Sequence, residues 1–136
     1  MMALVISCND HPEIPSSRRL RKVFVAKSVD ENGATVFTRG GTGNIRPGYG
    51  TFRLDLTDPK NVVLRDFDAN TFTGQYVIQG TGAKLILSNL TPAPSGTNGT
   101  IEFVVNSLTD TEVVLTRTSV SQKTGGLIVK YTLIPQ

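Results

Sequence analysis

Two residue types that carry much of enzyme chemistry occur once each, both near the N-terminus. Cys8 is the only cysteine and His11 the only histidine among 136 residues. A single cysteine cannot form a disulfide within the chain, and one Cys with one His is too small a set for a Cys/His zinc site. Both residues lie in a proline-interrupted segment ahead of the predicted folded body. We therefore expect no metal, no cofactor and no catalytic activity.

Asp66 and Asp68 form the best-spaced carboxylate pair, because residues two apart share one face of a continuing strand. Such a pair performs acid–base chemistry when the carboxylates flank a substrate and their pKa values diverge. Asp also accepts hydrogen bonds from turn backbone, and these two residues stand where a hairpin begins. We interpret both as turn residues.

A glycine-rich stretch, Arg39 to Gly50, shows no alternation of apolar and polar residues. The backbone N–H groups of Gly40 to Gly43, with Arg39 and Arg46, could cradle a phosphate. Nucleotide-binding loops, however, lie between a strand and a helix, whereas here a strand follows. We predict instead a loop at the entrance of a pocket, formed by Arg39, Arg46 and Tyr49. Tyr49 either caps that entrance or packs against the neighbouring proline.

Arg117 is the basic residue best placed to contact a ligand. If Leu115 faces the interior, the period of two carries Arg117 inward as well, where it could pair with a ligand carboxylate. Its position at a strand end also allows it to turn to solvent. Tyr76 and Tyr131 are predicted to face inward too, either as ligand contacts or as core residues with a protein partner for the hydroxyl.

The N-terminal segment resembles a targeting signal. Ala3 to Ser7 is apolar, ends in a small residue and is followed directly by Cys8, so it resembles a bacterial lipobox whose cysteine is acylated. We therefore predict a partial lipoprotein signal over residues 1–8, a flexible tether over 9–17 and a folded domain over 18–136. This organisation predicts attachment to a membrane through lipid on Cys8 and a location in the cell envelope.

Composition narrows the class of partner. The net charge is +3, and Lys and Arg are scattered except for a cluster from Arg18 to Lys22, which we interpret as a solvated segment. Nucleic-acid-binding proteins concentrate such charge on one face, so we expect no nucleic-acid partner. Hydrophobic residues make up 38% of the chain, with no unbroken apolar run of membrane-spanning length.

Alternating apolar and polar residues recur from Val23 to Ile134, separated by Gly, Asn, Asp and Pro. This period of two is typical of half-buried antiparallel strands. Nine strands are predicted, over residues 18–28, 34–38, 51–56, 61–66, 71–79, 83–90, 100–107, 111–118 and 127–134. Short connections favour pairing in chain order, and closure removes exposed edges. We predict an all-β, up-and-down meander closed into a barrel of about eight strands, with a β-sandwich as the alternative.

The later part of the chain resembles the lipocalin-like domains of small Bacteroidota lipoproteins. The similarity lies in Asn70-Thr71-Phe72-Thr73-Gly74, in Leu85-Ile86-Leu87 and in the hairpin Leu108-Thr109-Asp110-Thr111. It covers the last two-thirds of the chain and implies a lipocalin-like barrel. The first strand departs from the pattern, because Leu20 to Phe24 lacks the Gly and Trp of the family's Leu-x-Gly-x-Trp.

The mouth of a barrel offers a concave apolar site, so we predict a module that holds a small apolar or amphipathic molecule. The predicted ligand-binding residues are Phe52, Leu54, Phe72, Tyr76, Leu85, Phe103, Leu115, Arg117, Val129 and Tyr131. The alternative is a structural or interaction domain whose filled core leaves the outer surface to bind a protein partner.

Overall fold

The structure is a computed structural model that describes residues 15–80, 82–94, 97–119 and 125–136. Within these ranges a short helix precedes nine strands, and a 3-10 helix, Pro47–Thr51, lies between the second and third strands. The elements are α1 (Pro15–Leu20), β1 (Val23–Glu31), β2 (Ala34–Thr38), β3 (Arg53–Asp55), β4 (Asn61–Arg65), β5 (Thr71–Gln79), β6 (Lys84–Thr91), β7 (Ile101–Leu108), β8 (Val113–Arg117) and β9 (Val129–Pro135).

Antiparallel pairing closes the sheet into a barrel. From β3 to β9 each strand pairs with the next, and β9 returns to β1 to complete a ring of eight strands. The all-β fold and the closed barrel of about eight strands are thereby confirmed, and the structure is not the alternative sandwich.

β2 lies outside the ring, and here the prediction of pairing in chain order is wrong. β1 is long enough to hold two partners on one edge: its first residues pair with β3 and its last residues with β2. The glycine-rich connection after β2 carries the chain back along β1, so that β3 begins beside Val25. β2 and β3 therefore share a neighbour without pairing with each other.

The boundaries of β1 also differ from the prediction. Residues 15–20 form α1, which includes the last part of the predicted tether, and β1 begins at Val23 instead of Arg18. At the other end the strand continues through Glu31, leaving Asn32 and Gly33, both with positive φ, as the hairpin turn. That conformation is the one that Asn-Gly favours.

The two ends of the barrel are covered differently. α1 lies at the end where β1 begins, and its last residue, Leu20, is buried. The 3-10 helix Pro47–Thr51 lies at the opposite end, with Tyr49 as its buried residue. Among the described residues, no helix is long and apolar enough to cross a membrane.

One apolar core fills the interior. Side chains that alternate along the strands form a single cluster, from Leu20 and Phe24 to Val129 and Leu133. On β1 a bulge between Ala26 and Ser28 shifts the register against β9, so the inward set changes from even-numbered to odd-numbered residues.

Candidate functional site

Charged and hydroxyl groups are buried together at the barrel end beneath the 3-10 helix. The charged side chains buried there are Glu31, Asp66 and Arg117, exposed by only 4%, 5% and 6%. Tyr49 and Tyr131, also buried, lie within electrostatic reach of these groups. We call these five residues the polar cluster. Charged residues are rarely buried in this way unless they are paired or functional, so the cluster is the candidate site.

Glu31 is fully engaged within the protein. Its Oε1 accepts from Nε of Arg46 at 2.8 Å, and its Oε2 accepts from the Tyr49 hydroxyl at 2.9 Å. This hydrogen bond with Glu31 raises the pKa of the Arg46 guanidinium. Glu31, at the end of β1, thus attaches the 3-10 helix and the residue before it to the barrel wall.

Tyr49 is the aromatic residue at the centre of this end. Its ring centroid lies 5.0 Å from Phe67, 6.2 Å from Tyr131 and 6.3 Å from Phe37. Burial raises the pKa of Tyr49, and the neighbouring Tyr131 raises it further. The phenol therefore stays protonated at physiological pH and remains a hydrogen-bond donor to Glu31.

Arg117 projects into the interior from the end of β8. It is paired in register with Phe103 and lies beside Tyr131. Within the part of the chain that the structure describes, its Nε has no hydrogen-bond partner. Burial raises the pKa of Tyr131, while Arg117 acts in the opposite direction without outweighing burial. The site thus combines a neutral phenol with a guanidinium N–H that lacks an acceptor.

The predicted ligand-binding side chains do face the interior. Phe52, Leu54, Tyr76 and Leu85 are buried, as are Phe72, Phe103, Leu115, Arg117, Val129 and Tyr131. The apolar ones and both tyrosines belong to one packed cluster, in which Tyr131 stacks on Phe52 at 4.9 Å and meets Phe103 edge-on at 5.9 Å. Tyr76 is remote from the polar cluster, because its hydroxyl donates to backbone carbonyls at Leu56 and Asp58.

Surface hollows do not coincide with this interior set. Four pockets formed by described residues measure about 320, 30, 370 and 380 Å³. Phe72 lines one of them, together with Pro92 and Pro94, and the other predicted ligand-binding residues line none of these four. In this structure the interior is occupied mainly by the protein's own side chains.

The predicted entrance residues occupy three different environments. Arg39 is exposed, its Nε donates to the Ala26 carbonyl at 2.6 Å, and its guanidinium lies 5.9 Å from the Phe37 ring. Arg46 is half-buried on Glu31, and Tyr49 lies wholly inside the barrel end. The loop between them is closed on itself by Asn44, whose side chain bonds both the N–H and the carbonyl of Thr38.

Asp66 and Asp68 have different roles. Asp68 accepts hydrogen bonds from the backbone and side chain of Asn70, which confirms that it is a turn residue. Asp66 also bonds turn backbone, at the N–H of Phe67, but it is buried and acts electrostatically on Tyr49 and Tyr131. The two carboxylates therefore do not form an exposed catalytic pair.

Glu31 is the site residue that sequence reasoning missed, because the Asp-Glu-Asn-Gly sequence indicates a turn. A usable signal was its spacing of two from Val29, which is fully buried. To use that signal, one must know that the bulge between Ala26 and Ser28 changes which residues of β1 face inward. The alternation of apolar and polar residues alone does not reveal this change.

No group of three or more His, Cys, Asp or Glu residues that could hold a metal occurs in the described ranges. Cys8 and His11 lie outside those ranges, as does the rest of the predicted signal and most of the tether.

Comparison with known proteins finds solved structures with a similar fold. No family model matches the chain, and no curated protein matches it in sequence. Among solved structures, a lipocalin-like protein from Bacteroides uniformis superposes with a TM-score of 0.57 at 14% identity, covering 87% of this chain and 99% of that one. An uncharacterised protein from Bacteroides eggerthii gives 0.50 at 13% identity, covering 85% and 98%. The predicted resemblance to lipocalin-like domains is thereby confirmed at the level of fold.

Proposed function

We propose that this chain is a binding module without catalytic activity, which holds a small apolar or amphipathic molecule in the end of the barrel beneath Tyr49. The observation that carries the proposal is the buried Nε of Arg117, which has no hydrogen-bond partner among the described residues. A buried donor without an acceptor costs about 1–3 kcal/mol, so native proteins rarely keep one. A bound molecule that brings an acceptor would remove that cost.

Access to the interior would come from movement of the 3-10 helix. Among the described residues, few side-chain hydrogen bonds join it to the barrel. The Tyr49 hydroxyl and the adjacent Arg46 bond Glu31, and the Thr51 hydroxyl lies 3.4 Å from the Asp66 carbonyl oxygen. Loops on a rigid scaffold commonly supply such moving parts. Displacing the Tyr49 ring would uncover Tyr131, which stacks on Phe52 and lies beside Arg117.

A titration with N-phenyl-1-naphthylamine, whose fluorescence rises in an apolar site, tests interior binding. We expect saturable binding that persists after Ile45, Val77 and Val104, the exposed large apolar residues, are replaced by serine. Native mass spectrometry of the protein from the cells that make it should also show a bound small molecule. Absence of binding, or its loss in the serine variant, would contradict the proposal.

The second candidate function is an interaction domain with a filled core. The packed state of the interior favours it, because the predicted ligand-binding side chains contact one another closely. In this case the outer face would bind a protein partner, and the probe would not enter the barrel.

We further propose that the domain is anchored in the cell envelope through lipid on Cys8. The lipobox-like Ala3 to Ser7 supports this proposal, as does the short polar segment between Cys8 and α1. Expression from the native gene with an alkyne-tagged fatty acid should label the wild-type protein, and Cys8→Ser should abolish the label and release the protein from membranes. His11→Ser is the matched control and should keep both. An unlabelled wild-type protein would exclude the anchor.

A further inference from the structure

Arg117 is the buried charge at this end with an unmet demand for an acceptor, at its Nε, among the described residues. The residue is only 6% exposed, and Nε has no hydrogen-bond partner in the described part of the chain. Arginine remains protonated in proteins, so the site presents a permanent positive charge together with a directed N–H.

Glu31 is not available to satisfy that demand. Both of its oxygens are already bonded, one to Arg46 and the other to Tyr49. Asp66 uses Oδ1 for the N–H of Phe67, and it acts on the tyrosines of the polar cluster through space. The ion pair of Arg46 with Glu31 also balances their charges locally.

The surroundings of Arg117 define the rest of the ligand. Phe103 lies opposite it on β7, and Tyr131 lies beside it on β9, with Phe52 stacked on the Tyr131 ring. These rings offer flat apolar surface and a phenol hydroxyl, which favour an apolar or aromatic body. The charged end of such a ligand would meet Arg117.

We propose that the ligand carries an oxyanion head, a carboxylate, sulfonate or phosphate, that accepts a hydrogen bond from Nε of Arg117. This inference rests on the proposed interior binding site and specifies the class of its ligand. A hydrogen bond between two charged groups is about twice as strong as one between neutral groups, and the planar guanidinium matches an oxyanion in geometry.

Two probes with one ring system isolate the contribution of the head. 1-Anilinonaphthalene-8-sulfonate carries the anion, and N-phenyl-1-naphthylamine lacks it. We expect the full-length wild-type protein to bind the sulfonate about tenfold more tightly, as for one charge-assisted hydrogen bond. Arg117→Gln should abolish this preference. Arg65→Gln, on an exposed arginine, is the matched control and should keep the preference.

The outcomes separate this inference from the proposed function. If the wild type binds both probes equally, or Arg117→Gln retains the preference, the oxyanion head is excluded while interior binding stands. If neither probe binds, the interior site itself is excluded. Should Arg117→Gln fail to fold, the Nε–Hε resonance of Arg117 in the wild type decides. This resonance should shift on titration with decanoate or decyl phosphate and should not shift with decanol. The larger of the two shifts identifies the preferred oxyanion. No shift with either anion would overturn the proposal.

Discussion

Replacing Tyr49 with alanine should lower the free energy of unfolding by about 4 kcal/mol, the loss typical of removing a large buried aromatic side chain. The ring is fully buried and lies within 6.3 Å, between centroids, of Phe37, Phe67 and Tyr131. Its removal leaves a cavity that three neighbouring rings would only partly fill. It also takes away the hydroxyl that bonds Glu31. Equilibrium unfolding in urea, followed by circular dichroism, measures the change.

Tyr49→Phe is the matched control, because it keeps the ring and removes only the hydroxyl. Glu31 would retain its ion pair with Arg46, so we expect a loss of about 1.5–3 kcal/mol, the usual contribution of one hydrogen bond to a charged group. If the phenylalanine and alanine variants were equally destabilised, ring packing would contribute nothing, and the role given to Tyr49 would be wrong.

Substituting Gly74 with alanine should destabilise the protein by about 3 kcal/mol, at the upper end for overpacking. A Cβ built on Gly74 would lie 2.4 Å from the carbonyl oxygen of Ser88 and 3.0 Å from that of Asn89. Both atoms belong to the backbone of β6, the strand paired with β5, and cannot rotate away as a side chain would. The β5–β6 pairing must therefore open locally. Thermal unfolding should show a midpoint lowered by about 10 °C.

Gly50→Ala provides the comparison. A Cβ at Gly50 would have its nearest contact at 3.8 Å, on the Phe37 ring, which is ordinary van der Waals distance. We expect a change within about 1 kcal/mol, and of either sign, since alanine also reduces the freedom of the unfolded chain. Similar losses at Gly50 and Gly74 would show that close approach of β6 is not the reason for glycine in β5.

Strand positions were largely predictable because the barrel has one apolar face. β2 and β5 have the predicted bounds, and the other strands differ at their ends, where hydrogen bonding decides the limit and side-chain alternation does not. Leu85 and Leu87 face inward as their spacing predicts. An apolar face determines which residues of each strand are buried. Each strand therefore shows its own alternation of apolar and polar residues, and the strands can be counted from the sequence.

Partner choice among the strands was not predictable in the same way. Nothing in the alternation of β1 shows that one edge serves both β2 and β3. That arrangement depends on where the glycine-rich connection leads the chain, and glycines permit many paths. The 3-10 helix Pro47–Thr51, which that path produces, replaces the predicted start of β3.

The candidate site was found in part. Arg117 and Tyr131 follow from the period of two, and both are buried where the spacing places them. Glu31 did not follow, because a bulge changes the inward phase of β1 before it reaches that residue. The burial of Tyr49 was equally hidden, since it depends on contacts with Phe67 and Tyr131, far away in the sequence.

Closure of the ring by β1 and β9 has a consequence for biosynthesis. The N–H of Gln136 donates to the carbonyl of Val23 at 2.8 Å, so the first and last strands of the ring meet at one seam. Ribosomes synthesise β9 after all the other strands of the ring. The ring can therefore close only once β9 has left the exit tunnel, and until then the edges of β1 and β8 lack the same partner strand.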